Sequence, residues 1–142
     1  FIADIIKEKI EPKWKQLVAN IDANDNKVTN LGSLVSYPEF TIFTKHVLVS
    51  ILTTLNEAKV SRSDIRTVYE KIMNGEIEIS DDVYVRASNL ASKIINDLSD
   101  LITRRVNYVM FKQANKNVKD ILLDLDINEL LGCVIKQNIG GV

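Results

Sequence analysis

At 142 residues, 46% hydrophobic and 26% charged, the chain is large enough for one compact domain or two small units sharing a core. Its 18 Lys+Arg against 19 Asp+Glu give a net charge of −1, which argues against a surface that grips nucleic acid by bulk charge alone. No apolar run approaches the ~20 residues needed to span a bilayer, and a single cysteine, Cys133, excludes an internal disulfide or a cysteine zinc cluster.

The opening FIADIIKEKI carries apolar residues at 2, 6 and 10, the face of a helix already under way, so further residues are expected before Phe1. The stripe runs on in phase through Trp14, Leu17 and Ile21, which predicts one bent rod over about 2–21 with its bend at Pro12. A polar loop over Asp22–Lys27 and a short helix near 30–35 follow. Val35-Ser36 with Glu39-Phe40 has the spacing of a hydrophobic staple and a capping box, and opens a helix over 37–56. That helix is apolar almost all round at Val47–Leu52, so it is expected to be buried on several sides. Val60-Ser61 with Asp64-Ile65 repeats the device and opens a helix over about 62–74 that ends at Asn74-Gly75. Ile79-Ser80 with Tyr84 starts the longest helix, 81 to about 108, with a core stripe of Val83, Ala87, Leu90, Ile94, Leu98 and Leu101. No Gly or Pro interrupts the chain between Gly75 and Gly132. Tyr108–Phe111 reads as a β-prone apolar patch, and a short helix at about 117–124 leads to a final capped turn. There Asp126 and Glu129 form a capping box, Leu125 and Leu130 its staple, and Gly132 a left-handed helix end before an extended tail.

Several of these segments resemble core histones. NGEIEISDDVYVRAS at 74–88 is similar to the first loop of histone 2A and the start of its long helix, including Val83-Tyr84. DINELLG at 126–132 and the closing GGV at 140–142 are similar to its C-terminal docking segment. FIADIIKEKI, VTNLGSLVSYPEF and the Lys45-His46…Ser50 spacing are similar to histone 2B. The order of the segments resembles the histone 2B–2A doublets of giant DNA viruses of the Marseillevirus type. The resemblance implies an all-α fold of two histone-fold units clasped in an intramolecular handshake, with an extra helix after the first unit and an extended C-terminal docking tail. Residues 1–60 would form the histone 2B-like half, its opening helix missing, and 61–142 the histone 2A-like half, with the tail over 132–142. The chain departs from the family in its charge balance and in Glu76 and Glu78, which stand where a basic loop is usual.

Candidate DNA-binding residues are Lys27, Arg62, Arg66, Lys71, Arg104, Arg105, Lys112 and Lys116, at loops and helix starts where histones hold phosphates without reading bases. The plainer reading makes them ordinary solvated charges. By resemblance Glu39, Asp124 and Asp126, with Asp97 and Asp100 on the long helix, would form an acidic patch for basic partners; compensation of helix-start dipoles is the alternative. Leu34, Val35, Phe40 and Phe43 would dock on a histone-4-like partner. Gly132, Val134, Gly140, Gly141 and Val142 would dock on the histone 3–4 unit, so that truncation at Gly132 should weaken assembly and leave the helices folded. His46, the only histidine, stands at no catalytic spacing. Trp14 and Cys133 read as packed side chains, and Asp22, Asn24 and Asn26 start a calcium-like loop that Lys27 interrupts.

The expectation is therefore a non-enzymatic DNA-packaging protein with no cofactor and no metal. Its partners would be double-stranded DNA and a histone 3–4-like pair or doublet, not a membrane or a small-molecule substrate. It would be located in the virion and in the viral factory or nucleus. The alternatives are a histone-fold module of a transcription-type complex that does not wrap DNA, and an unrelated all-helical interaction protein.

Overall fold

A computed structural model describes residues 2–21, 34–56, 64–113 and 115–139, and every regular element among them is helical. The first rod comprises α1 (Ile2–Ile5), a π-helical turn (Ile6–Ile10) and α2 (Glu11–Ala19). It stays continuous past Pro12, as its apolar stripe requires, but the adjustment falls one turn earlier than the proline. Pro12 offers no N–H, and its ring crowds the carbonyl four residues back. The chain accommodates it by widening the preceding turn, which the Glu11 N–H closes onto the Ile6 carbonyl.

Helix α3 (Pro38–Asn56) opens on a proline, the residue best suited to a first helical position, and lies at the centre of the molecule. Val47, Val49, Ile51 and Leu52 are buried on different sides of it, so no single neighbour can cover it. The buried hydroxyls Ser50 and Thr53 are satisfied by the carbonyls of Val47 and Val49 within the same helix. Helix α4 (Ile65–Met73) is capped by Asp64, whose carboxylate accepts from the Arg66 N–H at 3.0 Å. The expected start at Ser61 lies outside the described residues. Asn74-Gly75 ends α4 as expected: Gly75 has φ +74°, and the Glu76 N–H reaches back to the Lys71 carbonyl at 2.8 Å.

Helix α5 (Asp81–Lys112) runs for 32 residues, with Ala87, Ala91, Ile94, Leu98, Ile102 and Val106 buried along one stripe. It continues through Tyr108–Phe111, so the β-prone reading of that patch is corrected: the stripe persists to Val106 and no breaker intervenes. Helix α6 (Val118–Asp124) starts where the sequence placed it, with Asn117 capping the Asp120 N–H.

The C-terminal element is the largest departure. Residues 127–139 form one helix, α7 (Ile127–Ile139), instead of a single turn and an extended tail. The Asp126 cap is as expected, its carboxylate accepting from the Glu129 N–H. Gly132 does not end the helix, because Ile127, Leu131, Val134 and Ile135 recur at helical spacing and all are buried. Burial of that face outweighs the roughly 1 kcal/mol that a mid-helix glycine costs relative to alanine.

The packing order also differs from the expected handshake. The first rod and α5 make no principal contact with each other among the described residues. The rod packs on α3, α6 and α7, and α5 packs on α3, α6 and α7. The all-round apolar surface of α3 is the physical reason, since it draws both long elements onto itself. Even so, the rod is closed by helices from the far end of the chain, and α5 by a helix from the near end. Both feed one hydrophobic cluster. No helix among the described residues is long and apolar enough to cross a membrane.

Candidate nucleic-acid and partner interface

Of the eight cations proposed to meet DNA, Lys27 and Arg62 lie outside the described residues. Arg66 is held by its neighbours. Its guanidinium donates to both Glu8 oxygens, Nε at 2.7 Å and a terminal nitrogen at 2.5 Å, which ties α4 to the first rod. This hydrogen bonding, and then the Arg66 charge, hold the Glu8 carboxyl below its ordinary range. The Lys9–Glu70 ion pair at 2.6 Å runs beside it. Lys116 reaches Asp124 at 2.5 Å. Lys71, Arg104, Arg105 and Lys112 are exposed and form no ion pair among the described residues. They do not converge: Lys71 precedes the N-terminal end of α5, and Arg104 lies about 35 Å along it.

The acidic residues are likewise dispersed. Asp97 accepts from Lys93 and from the Asn138 amide, both at 3.0 Å, and these contacts, Asn138 foremost, lower its pKa. Asp126 is the α7 cap, Asp124 pairs with Lys116, and Asp100 is exposed on α5. Asp97 meets one end of α7 while Asp126 starts the other, about 18 Å away. Glu39 lies in the first turn of α3. These carboxylates act chiefly as separate local partners.

The docking residues divide by burial. Leu34 and Phe43 belong to the chain's own core, where Phe43 meets Trp14 with ring centroids 5.5 Å apart, so neither is free to dock elsewhere. Phe40 is half-buried against the same cluster, whereas Val35 is exposed. Val134 is fully buried, and Gly132 faces Ile6 from inside a helix, which corrects their assignment to a partner-facing tail. Truncation at Gly132 would therefore remove core side chains of this chain as well. Gly140, Gly141 and Val142 lie outside the described residues. Cys133, expected to pack, is exposed.

His46 is buried, and its Nδ1 lies 2.5 Å from the Tyr69 hydroxyl. Burial first, then the charge of Lys13, depresses its pKa. Burial likewise raises the Tyr69 phenol, so both stay neutral. Among the described residues, no three His, Cys, Asp or Glu side chains come together to hold a metal.

Two features escaped the sequence reading. One is an open apolar groove of about 920 Å³ between α3, the end of α4 and the first half of α5, lined by Leu48, Val49, Leu52, Ile72, Ile79 and Ile95 among others. The second is the outer face of α5 near its C-terminal end, where Phe111 is 84% exposed and Tyr108 60% exposed beside three cations. The 3.6-residue period would have exposed it: with Ile102 and Val106 inward, Tyr108 and Phe111 must point outward.

No protein-family model, curated protein or solved structure matches the chain.

Proposed function

We propose that this chain packages DNA as a fused histone 2B–2A-like pair. It would hold the phosphate backbone without base readout, together with a histone 3–4-like pair or doublet. The observation that best supports the reading is mutual closure. The first rod is covered by α6 and α7, and α5 by α3, so the portions resembling histone 2B and histone 2A complete one core between them. The exposed Lys71, just before the N-terminal end of α5, and Arg104, Arg105 and Lys112, near its C-terminal end, would add separate backbone contacts to a duplex. Partner docking on this reading uses the exposed Val35 and Ile42. The protein would work without catalysis or cofactor, in the virion and viral factory or nucleus.

Reconstitution with a histone 3–4 pair and DNA, followed by nuclease digestion, tests the proposal. The expected result is a protected fragment of uniform length that disappears when this chain is omitted. A specific observation favours a second reading: the near-neutral charge, with Arg66 and Lys116 already paired to acids. On that reading the chain is a helical module of a regulatory complex that does not wrap DNA, and digestion leaves no protected fragment.

A further inference from the structure

The geometry points to a binding site for single-stranded nucleic acid on the outer face of the last turns of α5. Bases would stack on Tyr108 and Phe111, and Arg104, Arg105 and Lys112 would hold the phosphates. At about 100° per residue, Arg104, Tyr108, Phe111 and Lys112 fall within an arc of roughly 100°, with Arg105 at its edge. The opposite side, Ile102 and Val106, is fixed in the core, so this face cannot turn inward.

The charge here is of one sign over the longest stretch in the chain. From Leu101 to Lys119 every charged residue is a cation, and the bounding acids are Asp100 and Asp120. Lys116 is held by Asp124, Lys119 donates to the Ala19 carbonyl, and Arg104 Nε donates to the Asp100 carbonyl one turn back at 3.4 Å; the terminal nitrogens of Arg104, Arg105 and Lys112 form no ion pair among the described residues. The Lys112 ammonium stands 5.8 Å from the Tyr108 ring centroid and 5.9 Å from that of Phe111. A phosphate drawn to that ammonium brings its attached base beside two exposed rings.

The strand must be single, because bases in a duplex already stack on each other and offer no free face to a side chain on a helix. A bilayer fits less well, since two rings on an otherwise polar and charged face give little apolar area for insertion. The inference shares three cations with the packaging reading and deepens it at one end of α5, but it does not require a duplex to be wrapped.

Fluorescence anisotropy on the full chain tests it, with a short oligothymidine, an abasic strand of the same length and a duplex. The oligothymidine should bind more tightly than the abasic strand. Phe111→Ala should lower its affinity about tenfold, the effect of losing one stacked base, and leave the abasic strand unaffected. Phe111 is exposed, so this variant keeps the fold, which circular dichroism checks. Arg104→Gln combined with Arg105→Gln should weaken both strands and flatten their salt dependence. Equal affinity for the thymidine and abasic strands, or no loss in Phe111→Ala, overturns the inference. If nuclease protection of a duplex persists in that case, the packaging reading survives alone; tight stacking without protection has the converse meaning. Binding to phosphatidylserine vesicles in place of the oligonucleotides also overturns it.

Discussion

His46 sits inside the core against the Tyr69 hydroxyl, with Lys9, Lys13 and Lys45 as the cations and Glu70 as the acid that its charge would feel. Burial lowers its pKa in the folded state, so on acidification the unfolded chain takes up the proton first. Stability is thus full above the ordinary histidine value of 6.5 and falls as pH drops from there toward the depressed folded value. Glu8, Glu11 and Asp97, whose pKa values are lowered, act in a separate and more acidic window. Their contributions are present above the ordinary carboxylate range and lost as pH falls through their folded values. Urea unfolding at pH 7.5 and 5.5 should show a loss in the native chain that His46→Gln abolishes; an unchanged loss would assign it elsewhere. The pairing of His46 with Tyr69 is not legible in the sequence, because Tyr69 lies on a different helix and nothing local links them. Local signals fared better: Ser80, Asn74-Gly75 and Asp126 each mark a helix end within one turn of their own backbone.

Among the elements, α7 separates two accounts of one glycine. A Cβ built at Gly132 meets only Ile6 Cδ1, at 4.0 Å, an ordinary contact. Inside a helix, Gly132→Ala should stabilise by about 0.5–1 kcal/mol and raise the melting temperature. At a left-handed helix end the same change would destabilise, since a Cβ costs roughly 1–2 kcal/mol there. Thermal unfolding of the single variant decides between them. Leu-Leu-Gly has the look of a helix terminus, but the apolar spacing of Leu131, Val134 and Ile135 carries the helix on through Gly132. The same priority of pattern over propensity carries α5 through its β-branched and aromatic end. Pro12 shows the reverse limit: a rod in phase on both sides was legible, while the π-turn that absorbs the proline was not, since such a turn leaves no composition signal.

For the whole molecule, the all-round apolar stretch of α3 announced its central place, but not which helices would surround it. That depends on the fit of surfaces far apart in sequence. Residues 1–60 and 61–142 each contribute faces that only the other covers, so neither should fold alone. Separately produced, each is expected to lack a cooperative unfolding transition by circular dichroism, and mixing them should restore one. Independent folding of either would show that the cluster divides. The candidate interface was legible only in part. The cations could be listed from their positions, yet Arg66 and Lys116 are engaged by acids 58 and 8 residues away, which no linear motif displays.

The contact between Asn128 and Glu11 joins residues 117 positions apart. During synthesis at roughly 5–20 residues per second, the helix bearing Glu11 is complete for about ten seconds before the one bearing Asn128 exists. Through that interval the oily flank of the first rod lacks its final cover, and loop closure over so long a span slows the last step of folding as well. Solubility when the protein is overproduced should therefore depend on how quickly residues 127–139 are added.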